Sequence, residues 1–177
     1  MTKKTEVWLR GPLAGIPALL QPVAHALLQA REEVNELMIN FPANLLWVKP
    51  AGLASPGFHL QHLSGVLSRL FTYANGSQLN QFQFDALASE GKPDGENCTV
   101  AVLLETFNRQ IDVCLLELGK TDRFLLTEPR AVGRTKLPST VIGLYTHAAE
   151  HTMRHVGQLL VTVKVLKHVE PHISVLF

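Results

Sequence analysis

Apolar residues recur every three or four positions along four long stretches of the chain, and this spacing predicts four amphipathic helices. In the first stretch, Leu20, Val23, Leu27 and Val34 fall on one side of a helix. A shorter helical piece is predicted at about residues 78–89. The four long helices are predicted at about residues 17–40, 56–74, 98–119 and 140–168.

Residues that begin and end helices lie at the edges of these stretches. Ser55 followed by Pro56 is typical of a helix N-terminus, with the serine as cap and the proline in the first turn. Ser139 is placed to cap the last helix. Pro171 is predicted to close that helix, because proline cannot donate the backbone hydrogen bond of a continuing helix.

The segment between the last two long helices, residues 120–138, has no helical spacing. A connection of about twenty residues without regular structure is unusual in a compact domain. We therefore expect this segment to be functional or to run over the surface. The chain has no strand pattern of any length. The predicted fold is all-α: a single domain over residues 1–177, a four-helix bundle with a short extra helix and long crossover loops.

Composition and charge narrow the class of protein. Of the 177 residues, 46% are hydrophobic and 18% are charged, which is the balance of a globular domain. The net charge of +1, without a basic tract among aromatics, argues against a nucleic-acid partner. No apolar run approaches the roughly 20 residues of a membrane span, and the N-terminus lacks the apolar core of a signal peptide. We expect a cytoplasmic protein without a membrane partner.

Two cysteines, Cys98 and Cys114, are predicted to share one helix. Sixteen residues at about 1.5 Å each separate them by roughly 24 Å, far beyond the reach of a disulfide. We expect both to be reduced, structural thiols, as in a cytoplasmic protein.

The distinctive chemistry of the chain is in its histidines. His147, His151 and His155 are four residues apart, so they form a slowly drifting line along the last helix. His59 and His62 lie near the predicted inner face of the second helix. Two imidazoles four residues apart can bind one metal ion, and a third from a facing helix completes a set that leaves coordination positions open. Imidazole nitrogen suits zinc, nickel, iron or copper.

The same histidine stretch fits two other interpretations. HAAEH, residues 147–151, matches the inverted zincin motif, with Glu150 as general base. Glu150, however, lies about 100° from His151 around the helix, and its spacing from Arg154 is that of a surface ion pair. The other interpretation is a bundle whose helices are rich in histidine and bind no metal.

FHLQHLSGVLSRL, followed much later by HAAEHTMRHVGQ, resembles the DinB/YfiT-like superfamily of metal-dependent enzymes. The resemblance covers most of the chain and implies a DinB-like four-helix bundle with a three-histidine metal site. The family histidine that precedes Gln by three residues corresponds to His155, its H-x-x-x-H partner to His151, and the second-helix ligand to His62. His59 and His147 are extra imidazoles near this site, and either could add to or replace these ligands.

The resemblance also implies an activity. Relatives in the superfamily include transferases and isomerases that use low-molecular-weight thiols, and others described as hydrolases. It implies a metal-dependent enzyme of the hydrolase or thiol S-transferase type, in which zinc or nickel activates water or a small thiol against a small-molecule substrate. A homodimer is expected because relatives often pair. The alternative is a non-catalytic metal-binding or stress-response helical bundle.

Overall fold

A computed structural model describes the backbone of residues 4–93, 95 and 98–173, and the side chains of these residues as far as 168. Within that part of the chain, the long elements are helices, accompanied by one two-stranded sheet. In chain order the elements are α1 (Gln21–Leu37), α2 (Pro56–Ala74), α3 (Gln81–Ser89), α4 (Val100–Lys120), β1 (Pro129–Val132), β2 (Leu137–Thr140) and α5 (Val141–Ile173).

The four long helices pack around a common apolar core. Both α5 and α4 contact α1 and α2, so the four helices close into a bundle. The predicted all-α four-helix bundle with a short extra helix, α3, is confirmed. In the described part of the chain, no helix has both the length and the apolar character needed to cross a membrane. Core side chains with little or no exposure include Leu27, Leu63, Phe107, Ile111 and Leu159.

The starts of α2 and α3 follow from their capping residues. The Ser55 side chain accepts a hydrogen bond from the Phe58 backbone N–H at 3.2 Å, and Pro56 lies in the first turn, as predicted. α3 begins with a capping box, in which Asn80 and Gln83 each accept a hydrogen bond from the other's backbone N–H. These caps fix the first turns of α2 and α3.

Both ends of α5 differ from the prediction. Thr140, rather than Ser139, provides the N-terminal cap: α5 begins at Val141, and the Thr140 Oγ1 accepts a hydrogen bond from the Gly143 N–H at 3.1 Å. Pro171 does not close the helix, which continues to Ile173. A proline in the last turn removes only one backbone hydrogen bond, so the helix can include it.

The prediction that the two cysteines share one helix is wrong, because α4 begins at Val100 and Cys98 precedes it. Both thiols are free. Burial raises the pKa of the Cys114 thiol to about 12, so this side chain stays protonated and behaves as a small apolar residue.

The connection between α4 and α5 contains a β-hairpin, so the prediction of no strand is wrong. β1 pairs with β2 in antiparallel register, with Pro129 opposite Thr140. Each strand has only four residues, none of them buried, and neither PRAV nor LPST alternates apolar and polar residue types as a predictable strand does. The Arg130 Nε donates a hydrogen bond to the Ala74 carbonyl at 2.7 Å, which fastens the hairpin to the end of α2.

The α1–α2 loop, residues 38–55, docks on the first turn of α2. The Trp47 ring lies so close to Gly57 that a Cβ at that glycine would be 2.5 Å from the indole. The Gly57 N–H also donates a hydrogen bond to the Leu46 carbonyl at 2.7 Å. A glycine is therefore required at position 57, and the loop and the start of α2 form one packed unit.

Candidate metal centre

Three imidazoles meet where α2 packs against α5. His62 comes from α2, and His151 and His155 lie one turn apart on α5. One nitrogen from each of the three lies within 4.8 Å of the others, and all three side chains are partly buried. His62 Nε2 is 3.0 Å from His151 Nε2. We refer to these residues as the three-imidazole group; they are the three that the sequence resemblance indicated.

A buried carboxylate lies directly behind His62. Glu90 Oε2 is 2.7 Å from His62 Nδ1, and the Glu90 side chain is only 8% exposed. Its other oxygen, Oε1, accepts a hydrogen bond from Arg69 Nη1 at 2.7 Å. Burial by itself raises the pKa of Glu90, but the hydrogen bonds from His62 and Arg69, together with their charges, outweigh it and lower the pKa. The carboxylate is therefore ionised at neutral pH.

The ionised carboxylate sets the tautomer of His62. A carboxylate can only accept hydrogen bonds, so His62 Nδ1 must carry a proton. In a neutral imidazole the free lone pair is then on Nε2. This is the nitrogen that faces His151. A carboxylate behind a metal-binding histidine commonly orients the ring in this way.

The loop after α3 and the surface of α2 are shaped to receive Glu90. The Gly91 N–H donates to Gln61 Oε1 at 2.7 Å, and the Gln61 amide donates to the Lys92 carbonyl at 3.0 Å. Gly65 leaves room for the carboxylate, because a Cβ there would lie 2.6 Å from Glu90 Oε1.

Glu90 was not predicted from the sequence. It lies in an irregular segment, where apolar spacing gives no indication of which side chains turn inward.

Burial keeps the two α5 imidazoles neutral. It lowers the pKa of His155 to about 4, and the charges of His62 and His151 add to the effect. The pKa of His151 is also lowered, first by burial and then by the charge of His62. The neutral imidazole is the form that binds a metal ion.

The two additional histidines lie in different environments. His59 is 3% exposed, and its Nδ1 is 3.2 Å from His155 Nδ1. Burial, followed by the charge of His62, lowers the pKa of His59 to about 4. His147 is about half exposed, and its Nδ1 lies 2.7 Å from Glu150 Oε1. His59 therefore contacts the three-imidazole group from the buried side, at His155, and His147 contacts it from the exposed side, at His151.

A second set of possible ligands, His147, Glu150 and His151, lies closer to the surface. Glu150 is 45% exposed, and its other oxygen pairs with Arg154 at 2.8 Å, the i,i+4 ion pair that its spacing predicted. A cation at this set would have to compete with Arg154 for the carboxylate. The three-imidazole group is less exposed and has no such competitor among the described residues.

Comparison with known proteins identifies the family. A family model described as the DinB superfamily matches residues 26–159. The matched span is most of the chain and includes the three-imidazole group. The chain belongs to the DinB superfamily. The resemblance inferred from the two histidine segments is confirmed. No curated protein matches the chain.

A solved structure also resembles this DinB-superfamily chain. It is the crystal structure of a Streptococcus pneumoniae protein from a structural genomics consortium. The TM-score is 0.59 at 12% sequence identity, over 83% of this chain and 89% of that one. At this identity the likeness supports the shared fold alone.

The three-imidazole group of this DinB-superfamily chain has the donors that a divalent metal ion needs. The 3.0 Å between His62 Nε2 and His151 Nε2 is close to the roughly 3.3 Å between two nitrogen ligands of a tetrahedral zinc. Neutral nitrogen donors of this kind suit zinc and nickel.

Proposed function

We propose that this DinB-superfamily chain is a metal-dependent enzyme in which His62, His151 and His155 bind one divalent ion, zinc or nickel. The reaction is of the hydrolase or thiol S-transferase type: the ion supplies the Lewis acidity that lowers the pKa of a water or a low-molecular-weight thiol bound to it. The observation that carries the proposal is the convergence of three partly buried imidazoles within 4.8 Å, with the Glu90 carboxylate behind one of them.

The residues around the group have separate roles in this proposal. The three histidines leave at least one coordination position for water or thiol, as in catalytic rather than structural sites. Glu90 keeps the proton on His62 Nδ1 and so keeps Nε2 available as a ligand. Arg69 holds the other Glu90 oxygen and helps to keep that carboxylate ionised.

Metal content of untagged, purified protein tests the proposal. We expect inductively coupled plasma mass spectrometry to find a single zinc or nickel ion per chain. Each of His62→Ala, His151→Ala and His155→Ala should lose it. His25→Ala is a matched control, because His25 contacts the Gly11 carbonyl, away from the group. Wild-type protein that holds no metal, and takes none up on titration, would overturn the proposal.

A non-catalytic metal-binding bundle is the second candidate function, and the position of His59 is the observation that favours it. Structural zinc sites have four protein ligands, whereas catalytic sites keep a position open. His59 Nδ1 is 3.2 Å from His155 Nδ1, and His147 forms a second set of possible ligands with Glu150 and His151, so either histidine is a candidate fourth ligand. Loss of metal in His59→Ala would support a structural site. Retention of metal would support the open position that an enzyme needs.

Glu150→Gln separates the proposal from the inverted zincin interpretation. The Glu150 carboxylate is held by His147 and Arg154 on the surface, so we expect the variant to keep both its metal and its activity. Retained metal with abolished hydrolysis would instead identify Glu150 as the general base.

We further propose a cytoplasmic homodimer. The support for pairing is the family resemblance, and the support for a cytoplasmic location is a pair of free thiols. Light scattering after size-exclusion chromatography should give about twice the chain mass of 19.5 kDa. A mass near that of one chain would contradict pairing.

A further inference from the structure

A cleft of about 530 Å³ opens beside the three-imidazole group, between the end of the α1–α2 loop and the face of α5. Leu53 forms part of the loop side, and Gly157, Val161 and Thr162 form part of the helix side. Cavities that hold small molecules measure about 300–1,000 Å³. The size of the cleft therefore suits a small molecule rather than a protein segment.

His59 connects the cleft to the three-imidazole group. It lines the cleft, and among the described lining residues it alone is buried. On its other side, His59 Nδ1 is 3.2 Å from His155 Nδ1. A ligand in the cleft is therefore separated from the three-imidazole group by a single imidazole ring.

The walls of the cleft are apolar. Leu53 is 68% exposed and Val161 is 62% exposed, although both are large hydrophobic side chains. They lie on opposite sides of the cleft, one on the loop and one on α5. An apolar ligand between them would remove both from water, which is favourable.

A cation and hydrogen-bonding groups accompany these walls. Arg154 lines the cleft, as do Gln158 and Thr162. The Arg154 Nη2 binds Glu150, but a guanidinium has five N–H donors, so this pair leaves donors for an anionic group. Arginine binds carboxylates and related oxyanions through paired hydrogen bonds. No acidic residue is among the described residues that line the cleft.

We propose that this cleft is the substrate site of the enzyme, and that it takes a small organic anion. The apolar body of the ligand lies between Leu53 and Val161, and its carboxylate or similar oxyanion pairs with Arg154. This inference rests on the proposed function, because the chemistry is that of the three-imidazole group, which lies behind the His59 ring.

Gly157 allows the cleft to be filled without breaking the fold. A Cβ at this position would meet nothing within 4 Å, and its backbone does not have a positive φ. Leucine is also a better helix former than glycine, by roughly 0.8–1 kcal/mol. Gly157→Leu should therefore fold normally and place its side chain in the cleft.

The probe for this test is 1-anilinonaphthalene-8-sulfonate, an apolar molecule with one oxyanion. Fluorescence titration of zinc-loaded protein should give saturable binding. Gly157→Leu should weaken that binding by about tenfold or more, because the side chain occupies the site. Arg154→Gln should weaken it by about tenfold, the cost of losing one charge-assisted hydrogen bond. The uncharged N-phenyl-1-naphthylamine should bind to Arg154→Gln as it does to wild type.

Two matched variants control for nonspecific effects. Ala101→Leu adds the same side chain to an exposed position of α4, and Arg109→Gln removes an arginine from an exposed i,i+4 ion pair of the same kind. Both should bind the probe as wild type does. Equal binding by Gly157→Leu and wild type would overturn the site. Equal loss of the charged and uncharged probes in Arg154→Gln would overturn the anion assignment.

Zinc content of the same samples separates this inference from the proposed function. If the wild-type protein binds zinc but binds the probe no better than Gly157→Leu does, only the assignment of the cleft as a ligand site is overturned. A different result is that the wild-type protein takes up no zinc, although its probe binding depends on Gly157 and Arg154. That result would overturn the proposal of a metal-dependent enzyme, and with it the role of the cleft as a substrate site.

Discussion

The Glu90 carboxylate lies 2.7 Å from Nδ1 of His62, on the side of the ring opposite the nitrogen that faces His151. We expect Glu90→Gln to weaken zinc binding by about 10- to 100-fold, because a neutral amide holds the imidazole less firmly and makes it less basic. Competition with a chromophoric chelator measures the affinity. Glu105→Gln, on the exposed face of α4, is the control. A lower melting temperature with unchanged zinc affinity would mean that Glu90 only stabilises the fold.

Gly65→Ala should disturb the same arrangement without changing any charged or metal-binding residue. The added methyl would lie 2.6 Å from Glu90 Oε1 and 2.7 Å from Arg69 Nη1, so the carboxylate must move. Alanine favours the helix by up to about 1 kcal/mol. We therefore expect Gly65→Ala to lower the zinc affinity while changing the free energy of unfolding only slightly. Zinc competition measures the affinity, and urea denaturation measures the free energy of unfolding.

A double-mutant cycle provides the control for Gly65→Ala. If the methyl acts through the carboxylate, Gly65→Ala should have little further effect on zinc affinity in the Glu90→Gln background. Fully additive losses would contradict that route.

Phe107→Ala should destabilise the bundle by about 3–5 kcal/mol, because it removes a large side chain from the core and leaves a cavity. Phe107 on α4 has no exposed surface. Val113→Ala, on the same helix but 42% exposed, should cost less than about 0.5 kcal/mol. Urea denaturation measures both. Since α4 contributes no member of the three-imidazole group, zinc uptake at a temperature where the variant is folded should match wild type.

The contribution of Glu32 to stability should depend on pH. The hydrogen bond that Glu32 accepts from Arg10 lowers the pKa of Glu32 from 4.5 to about 2. Burial opposes this shift, and Lys4 adds to it. The unfolded chain binds this proton more readily, so the stabilisation is present above about pH 4.5 and is lost as the pH falls toward 2. Glu32→Gln should melt below wild type at pH 7, with the difference closing in acid.

Glu105→Gln is the comparison for Glu32, because its ion pair with Arg109 is exposed and such pairs contribute little. Calorimetry at several pH values measures the difference between each variant and wild type. A Glu32→Gln difference that stays constant from pH 7 to pH 2 would contradict the ion-pair explanation.

Apolar spacing in the sequence was sufficient to predict the bundle. Leu27, Leu63 and Leu159 recur at positions that face inward on their helices, and all three are fully buried. The cap at Ser55 was also predictable, since its hydrogen bond joins residues three apart. A cap depends on one hydrogen bond between near neighbours in the chain, and a helix face depends on a repeated spacing of apolar residues. Both can be predicted from a sequence without knowledge of the fold.

Features that depend on contacts between distant segments were not predictable. Glu90 and His62 are 28 residues apart, and only the packing of the loop after α3 on α2 brings them together. The hairpin depends on one-to-one pairing of two short, exposed strands. At the start of α5, Ser139 and Thr140 are both suitable caps by residue type, and residue type does not show that the helix begins directly after Thr140. Whether the three histidines bind a metal stays a prediction.

The contact of Trp47 with Gly57 gives the molecule an optical reporter. The chain has two tryptophans, and the other, Trp8, is 61% exposed and lies in the segment before α1. In a Trp8→Phe protein, the remaining emission would come from an indole packed on α2, six residues along the chain from Leu53. Its wavelength and quenching would then record whether the loop wall of the cleft is seated, in real time and without a label.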